Sequence, residues 1–183
     1  KPNIKIIYLH AKEIIQRLGD GTLDIGISGL DLLNESQKNL RDKINIKQKL
    51  NFGSANLVVA VPDDWIDVQT VADLEEVAFD IRSKRNTRLR VATKYPNLTN
   101  SFLISKGVTQ YKLISSLGAT ETYPFIGSSE IITDITSTGK TLEDNNLRVL
   151  KDGLILKSAA CLFVVKKKGC KFAAFFKFIR LNE

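Results

Sequence analysis

Short apolar runs alternate with segments of helical periodicity along this chain of 183 residues, and that order limits the possible folds most strongly. The first segment of this kind runs from "IKIIYL" through "AKEIIQRLGDG" to "LDIGISG". The pattern predicts a strand, a helix that ends at glycine, and a second strand. A crossover helix of this kind joins parallel strands, so the pattern predicts an α/β sheet. Ligands of such sheets bind beyond the carboxyl ends of the strands, which here means near Gly29 and Asp31.

The same periods recur beyond Pro62, where the composition changes. The predicted elements are, in order, a helix from about Thr70, the strand "RLRVATKYP", the helix "NLTNSFLISKG", the stretch "YKLISSLGATETYP", the helix "SSEIITDI", the strands "RVLKDGLILKSAACLFVVKK" and an aromatic helix, "CKFAAFFKFIRLNE". This order predicts two α/β lobes, residues 1–62 with 150–183 and residues 63–149. Two chain crossings would connect them, with a cleft between the lobes.

Composition narrows the class of protein and of partner. No apolar run approaches the roughly 18 residues that span a bilayer, and the first residues lack the apolar core of a secretory signal, so the sequence predicts a cytoplasmic protein. Cys161 and Cys170 form no CxxC pair, which argues against a disulfide framework and a zinc site. The net charge of +7 favours polyanionic partners, without choosing among nucleotides, sugar phosphates, nucleic acid and acidic proteins.

The segment "DITSTGKTLEDNN", residues 134–146, combines hydroxyls, one glycine and carboxylates. Gly139 allows a positive φ, so that successive N–H groups point into one concavity lined by hydroxyl donors, and a following helix would add its N-terminal dipole. These are the ingredients of a phosphate cradle, with Glu130 and Asp134 available for ribose hydroxyls or a shared magnesium ion. A polar turn that caps a helix uses the same residue types and stays the alternative, since the Walker and dinucleotide patterns are both missing.

The longer stretch "TDITSTGKTLEDNNL" resembles the phosphoribosyl pyrophosphate loop of the ATP phosphoribosyltransferase family. Four further stretches resemble that family in the same order: "EIIQRLGDGTLDIGISGLDLLNE", "LRVATKYPNLTNSFL", "GATETYPFIGSSEIITDI" and "DGLILKSAACLFV". The resemblance therefore covers nearly the whole chain. It is closest to the short-form catalytic subunits, and "GATE" with "GSSE" is most similar to the alphaproteobacterial branch.

The resemblance implies a two-lobed α/β fold similar to type II periplasmic binding proteins, with the active site in the cleft. The implied reaction joins N1 of the adenine of ATP to C1 of phosphoribosyl pyrophosphate and releases pyrophosphate, with Mg²⁺, as the first step of histidine biosynthesis. No side-chain nucleophile is expected, because the substrate nitrogen attacks. The implied partners are ATP, phosphoribosyl pyrophosphate, a regulatory subunit related to histidyl-tRNA synthetase and further subunits of an oligomer, with neither a membrane nor nucleic acid.

The resemblance also implies roles for residues at matching positions. The phosphoribosyl pyrophosphate site is expected to use Asp134, Ser137, Thr138, Gly139, Thr141, Glu121, Glu130 and Lys94. Within that set, Glu121 and Glu130 would face ribose or Mg²⁺, and Lys94 would meet phosphate charge. The ATP side is expected to use Asp24, Gly29 and Asp31, and no metal ligand is assigned. Plainer interpretations stay open for two of these residues: a surface lysine at Lys94 and a turn carboxylate at Asp24. Lys140 lies at the family's variable position and is expected to be a solvated side chain.

Family members carry a further N-terminal strand with a Lys-Gly-Arg-Leu stretch that this chain does not contain, so the activity of the chain alone is left open. The competing hypothesis is a non-catalytic ligand-binding module with the same two-lobed fold. The TSTG loop with its neighbouring carboxylates favours the enzyme, because a passive receptor for amino acids does not need them.

Overall fold

The computed structural model describes residues 4–166; the predicted aromatic C-terminal helix and Cys170 lie outside them. The helices are α1 (Ala11–Asp20), α2 (Leu30–Glu35), α3 (Lys38–Arg41), α4 (Asp73–Arg85), α5 (Pro96–Ser105) and α6 (Lys140–Glu143). The strands are β1 (Ile25–Gly29), β2 (Ile44–Lys49), β3 (Ala55–Pro62), β4 (Leu89–Thr93), β5 (Tyr111–Ser115), β6 (Ile131–Thr136), β7 (Leu147–Ser158) and β8 (Ala160–Val165). Within residues 4–166, every helix is too short or too polar to cross a membrane.

The strands form two sheets. The smaller sheet has the order β1-β8-β2, and both of its pairings are antiparallel. The larger sheet has the order β5-β4-β6-β3-β7, in which β4 pairs in parallel with β5 and β6, while β3 pairs antiparallel with β6 and β7. The parallel arrangement predicted for the first segment is therefore wrong, because β1 pairs antiparallel with β8. Parallel pairing occurs instead in the larger sheet, between β4 and its neighbours β5 and β6.

The chain passes between the sheets at residues 50–54 and again at Ala159. The two crossings are bonded to each other, because the Leu50 N–H donates to the Ala160 carbonyl at 2.8 Å and the Ala160 N–H donates to the Phe52 carbonyl at 3.1 Å. The predicted division at residues 62 and 150 needs correction, since β3 and β7 both pair within the larger sheet. Five consecutive residues of β3, 57–61, are buried, which suits a central strand covered on both faces.

Two predicted elements are wrong. The segment "IKIIYL" forms no strand, and Ile6 and Tyr8 are 75% and 95% exposed, because among residues 4–166 no strand lies beside it to complete a ladder. The apolar part of "SSEIITDI" is strand β6 rather than a helix. Its β-branched residues at 131–133 are all buried, and consecutive burial of this kind is typical of a central strand.

The larger sheet is packed on both faces and places three strand ends together. One face packs against Leu74 of α4 and Leu103 of α5, and the other packs against Leu142 of α6. Because β4, β5 and β6 are parallel neighbours, they end at the same edge of the sheet. That carboxyl edge is where α/β proteins usually bind ligands.

Candidate functional site

The loop between β6 and α6 has the backbone conformation predicted from its glycine. Gly139 has a φ of +81°, and its N–H donates to the Thr136 hydroxyl at 2.8 Å. The next amide, of Lys140, donates to the Thr138 hydroxyl at 3.3 Å. The Ser137 and Thr138 side chains are exposed at the surface of the loop. The prediction of a positive φ is confirmed, whereas α6 is only four residues long, so its dipole adds less than a long helix would.

Lys94 directly follows the end of β4, and Asp134 lies at the neighbouring position near the carboxyl end of β6. Thr93 is the register partner of Thr133 in the parallel pair of β4 and β6, so the next step along both strands brings Lys94 beside Asp134. The charge of Lys94 acts on the Asp134 carboxylate accordingly. The structure therefore brings a cation and a carboxylate together near the end of β6, shortly before the loop.

Burial dominates the environment of Asp134 and raises its pKa above the ordinary 3.8. The Ile135 N–H, which donates to Oδ1 at 2.8 Å, and the charge of Lys94 oppose that rise, while the nearby charge of Glu121 adds to it. The Thr120 hydroxyl likewise acts to lower the pKa of Asp134. Asp134 is thus a partly desolvated carboxylate close to the carboxylate of Glu121. Two neighbouring carboxylates of this kind attract cations.

Glu121 is held by a short 3₁₀ turn, Thr120–Thr122, beside β6. The Thr120 hydroxyl is fully buried and lies 2.9 Å from the Ser116 hydroxyl. Ser116 is in turn fixed to β4, because its N–H donates to the Thr93 carbonyl at 3.0 Å. The turn is therefore anchored to the same strand end that precedes Lys94, which brings Glu121 into the cluster as predicted.

Glu130 lies outside this cluster, which corrects its predicted role at ribose or Mg²⁺. It precedes β6 at the amino end, about 13 Å along the strand from Asp134 at the usual rise of a strand. Its carboxylate accepts the Arg90 N–H at 2.7 Å and forms an ion pair with the Arg90 guanidinium at 2.6 Å. It lines a depression with Trp65 beside α4. Glu130 is therefore a structural ion-pair partner.

We expect Glu130→Gln to leave the catalytic rate near that of the wild type and to lower the free energy of unfolding by about 1 kcal/mol, since the pair is partly exposed. Burial acts to raise the pKa of Glu130, but the Arg90 hydrogen bonds and charge hold it below the ordinary 4.5. The stabilisation is therefore present above pH 4.5 and is lost as the pH falls through the lowered pKa. Urea unfolding from about pH 7 to about pH 3 checks this, and a stability gap that persists at low pH contradicts it.

Asp31 is buried at the junction of the two sheets and has partners on both sides. Its carboxylate accepts the Tyr95 hydroxyl at 2.9 Å and the Ser158 hydroxyl at 2.6 Å, and its N–H donates to Ser158 at 3.0 Å. Gly29 leaves room for this arrangement, because a Cβ there would lie 2.3 Å from Asp31 Oδ1. The two predicted residues thus lie together at the junction.

Asp24 lies away from Gly29 and Asp31, although the sequence grouped the three. It precedes β1, so about 17 Å of strand separates it from Gly29. Its backbone carbonyl accepts the Val165 N–H, which extends the pairing of β1 with β8. Asp24 is therefore not grouped with Gly29 and Asp31 as expected, and its role on the nucleotide side stays a prediction. Its position just before β1 fits the plainer interpretation of a turn carboxylate.

Glu35 provides a second connection, between α2 and the first turn of α5. Its carboxylate accepts the N–H groups of Asn97 at 2.9 Å and Leu98 at 3.0 Å, which are free donors in the first turn of α5. Burial raises the pKa of Glu35 in spite of these bonds. Glu35 and Asp31 are four residues apart and therefore share one face of α2, which faces the segment from Tyr95 to Leu98.

Tyr95→Phe is expected to lower the free energy of unfolding by about 1–3 kcal/mol, because it leaves a buried carboxylate oxygen of Asp31 without its donor. Burial and the charge of Asp31 raise the pKa of Tyr95, so the hydroxyl keeps its proton and donates at neutral pH. Urea unfolding measures the loss. Tyr8→Phe is the matched control, since Tyr8 is 95% exposed. Equal stability of the two variants would contradict the predicted connection.

Sequence reasoning missed several residues that shape this region: Glu35, Tyr95, Ser158, Thr120 and Thr136. A signal existed for Glu35, because the spacing of Asp31 and Glu35 in "DLLNE" puts two carboxylates on one helix face. No pattern in the sequence indicated Tyr95 or Ser158, since their partner Asp31 is 64 and 127 residues away.

A comparison with protein families identifies the chain. A family model described as HisG: ATP phosphoribosyltransferase matches residues 10–179. The chain belongs to the ATP phosphoribosyltransferase family. The function predicted from the sequence, a glycosyltransferase reaction that begins histidine biosynthesis, is thereby confirmed, and the non-catalytic binding module is not favoured.

Relatives and solved structures agree with this family. The ATP phosphoribosyltransferase of Chelativorans sp. (strain BNC1) is 49% identical over 166 residues, which cover 90% of this chain and 72% of the relative. The ATP phosphoribosyl transferase (HisG:HisZ) complex from Thermotoga maritima is similar in structure, with a TM-score of 0.71, 26% identity, and coverage of 94% of this chain and 74% of that one. The substrate binding protein of an amino acid ABC transporter shares the fold, with a TM-score of 0.56, 15% identity, and coverage of 90% and 66%. The predicted α/β fold of the periplasmic-binding-protein type is confirmed.

In this member of the ATP phosphoribosyltransferase family, two groups of predicted residues are therefore brought together. The first group surrounds the loop and comprises Lys94, Glu121, Asp134, Ser137, Thr138, Gly139 and Thr141. The second group, at the junction of the sheets, comprises Gly29 and Asp31. The two groups are linked through Tyr95, which adjoins Lys94 in sequence and bonds Asp31.

Proposed function

We propose that residues 134–141 bind the ribose and 5-phosphate of phosphoribosyl pyrophosphate. The observation that carries this proposal is the positive φ of Gly139 in a loop that starts beside the Lys94–Asp134 pair. The exposed hydroxyls of Ser137 and Thr138 supply donors for phosphate oxygens, and Thr141 adds a third. Lys94 supplies a compact positive charge at the edge of the same site.

The proposed reaction requires no nucleophilic side chain. The lone pair of adenine N1 forms a bond to C1 of the ribose while the C1–O bond to pyrophosphate breaks, and the bonding electrons leave with pyrophosphate. The adenine then loses a proton to solvent. As positive charge develops on the ribose, the fixed carboxylate of Asp134 stabilises it, and Lys94 offsets the negative charge of the phosphates. The protein accelerates the reaction by holding two polyanions in a reactive geometry.

We further propose that Asp134 and Glu121 take part in binding Mg²⁺. Among residues 4–166, no group of three or more His, Cys, Asp or Glu side chains forms a ready metal cluster. Two neighbouring carboxylates nevertheless fit this ion, because Mg²⁺ is usually held by one or two carboxylates together with substrate phosphates. When bound, the ion would neutralise the charge of the pyrophosphate. The repulsion that Glu121 exerts on Asp134 would then be relieved.

We place ATP at the junction of the sheets, next to Gly29 and Asp31. Both residues lie where β1 turns into α2, which is the side of the cleft formed by the smaller sheet. The carboxylate of Asp31 already accepts hydrogen bonds from two hydroxyls. We therefore propose that Asp31 holds the shape of this surface and does not itself accept a hydrogen bond from ATP. Tyr95 connects this surface to Lys94, and the two substrates would therefore meet across it.

A regulatory partner and an oligomer belong to the same proposal. The structural relative from Thermotoga maritima is a HisG:HisZ complex, and this supports assembly of the present chain with a regulatory subunit related to histidyl-tRNA synthetase. A cytoplasmic location, where ATP is available to a biosynthetic enzyme, is part of the proposal.

We also propose that the boundaries between the two lobes lie at residues 50–54 and 159, because the chain passes from one sheet to the other there.

The test is an absorbance assay for phosphoribosyl-ATP with the full-length enzyme, ATP, phosphoribosyl pyrophosphate and Mg²⁺, with and without the regulatory subunit. Product is expected when ATP, phosphoribosyl pyrophosphate and Mg²⁺ are all present, and calorimetry is expected to show binding of phosphoribosyl pyrophosphate. If neither product nor binding is observed under either condition, the proposed function is wrong for this protein.

A further inference from the structure

Three buried threonine hydroxyls form a closed ring behind the carboxyl edge. Thr93 ends β4, Thr99 lies in α5, and Thr133 lies in β6. Each is at most 1% exposed. Their Oγ1 atoms are 3.1 Å apart for Thr93 and Thr99, 2.7 Å for Thr99 and Thr133, and 2.6 Å for Thr133 and Thr93. The ring connects one helix and two strands of the larger sheet.

The hydrogen bonds of the ring are complete. A threonine hydroxyl has one proton, and Thr133 donates its proton to Thr93. The ring then closes when Thr93 donates to Thr99 and Thr99 donates to Thr133. The Thr93 oxygen also accepts the Tyr95 N–H at 2.9 Å, which uses its second lone pair and fixes the turn around Lys94. Loss of any one hydroxyl therefore leaves buried polar atoms without partners.

Each strand residue of the ring directly precedes a residue of the proposed site. Lys94 follows Thr93, and Asp134 follows Thr133. The relative position of these two charged groups consequently depends on the ring as well as on the backbone pairing of β4 with β6. Thr99 is different, because α5 contributes no residue to the proposed phosphoribosyl pyrophosphate site. Its hydroxyl can influence that substrate only through the ring.

We propose that Thr93, Thr99 and Thr133 are positioning residues that fix Lys94 against Asp134 for the binding of phosphoribosyl pyrophosphate. This inference rests on the proposed function. Side-chain hydroxyls are suited to the task, because their bonds are directional and the surrounding core excludes competing water. An apolar residue of similar shape would fill the space but would leave the two strand ends joined by backbone contacts alone.

The test is Thr99→Val in the full-length enzyme, with calorimetry of phosphoribosyl pyrophosphate and steady-state kinetics. The Kd and KM for phosphoribosyl pyrophosphate are expected to rise about tenfold, the scale of one lost hydrogen bond, while the KM for ATP stays the same. Thr99→Ser, which keeps the hydroxyl, is expected to restore the wild-type values. Thr109→Val is the matched control, because Thr109 precedes β5 at the opposite edge and bonds Glu75. If Thr99→Val does not fold, Thr133→Val takes its place, since valine suits a strand.

Lys94→Ala separates failure of this inference from failure of the proposed function. If Lys94→Ala weakens binding but Thr99→Val binds as the wild type does, the ring has no positioning role and the proposed function stands. Equal rises in KM for both substrates, or no recovery in Thr99→Ser, would show a general structural role and would also overturn the inference. If Lys94→Ala itself binds as the wild type does, the proposed site and the inference fail together.

Discussion

Replacing Gly139 with valine is expected to weaken the binding of phosphoribosyl pyrophosphate by about 5–150-fold while the protein stays folded. Gly139 has a φ of +81°, a conformation that a β-branched residue adopts only at a cost of about 1–3 kcal/mol. No neighbouring atom lies within 4 Å of a Cβ placed there, so the side chain itself has room. The loop is therefore expected to relieve the backbone strain by rearranging, which would move the Ser137 and Thr138 hydroxyls away from the positions proposed to meet the phosphate. Calorimetry of the full-length enzyme measures the loss.

Gly107→Val is the matched control for this experiment. Gly107 has a φ of +83° and equally open surroundings, but it follows α5 at the other end from the proposed site. The two variants should lose similar stability, since the backbone penalty is the same in kind. Only Gly139→Val should lose affinity, by about 5–150-fold if the backbone cost of about 1–3 kcal/mol is taken from the free energy of binding. Equal affinities in the two variants would reduce the segment to a polar turn, which is the alternative that its composition left open.

Asp134→Asn is expected to lower kcat by about 100–1,000-fold, the range observed when one preorganised electrostatic group is removed from an active site. The amide keeps the shape of the side chain and can still accept the Ile135 N–H. It lacks the charge that is proposed to stabilise the ribosyl transition state. Steady-state kinetics with saturating substrates and Mg²⁺ measure this loss, which should appear in kcat more than in the KM for ATP.

The stability of Asp134→Asn should change in the opposite direction from its activity. Burial raises the pKa of Asp134 above 3.8, so the folded protein binds this proton more tightly than the unfolded chain does. Stability therefore falls as the pH rises from 3.8 through the raised pKa, and a neutral side chain avoids that loss. We expect urea unfolding at neutral pH to show a variant at least as stable as the wild type, as functional residues often allow.

Asp152→Asn provides the contrasting case. The Asp152 carboxylate accepts the Val71 N–H at 2.7 Å and pairs with Lys106 at 3.0 Å, and these partners outweigh burial and lower its pKa. This variant should lose stability and keep its activity. If Asp134→Asn instead retains wild-type kcat, or loses stability as Asp152→Asn does, then Asp134 serves the fold rather than the reaction.

Local patterns were sufficient where the chemistry is local. The helix that ends before Gly107, the strands around residues 89–93 and 147–165, and the positive φ of Gly139 could all be predicted, because each depends on neighbouring residues in the sequence. The segment "SSEIITDI" was assigned incorrectly for the opposite reason. Its apolar residues fit the period of a helix as well as that of a buried strand, and only their position between β4 and β3 in the sheet makes them a strand.

The placement of carboxylates depended on tertiary structure. From the sequence, Glu130 and Asp134 looked like two members of one site, four residues apart. In an extended strand that spacing separates them by about 13 Å, and Arg90 at the neighbouring strand takes Glu130 as its partner. Asp24 was grouped with Gly29 and Asp31 in the same way, and the length of β1 separates them.

The sequence by itself determined the family, the α/β class and the residues of the loop around Gly139, because motif order and backbone requirements are written along the chain. Only the tertiary structure decided which of the predicted residues meet. Parallel pairing of β4 and β6 places Lys94 beside Asp134, and the threonine ring and the Asp31–Tyr95 bond join segments that are far apart in sequence. Such contacts depend on strand register and burial, which no local pattern of residues encodes.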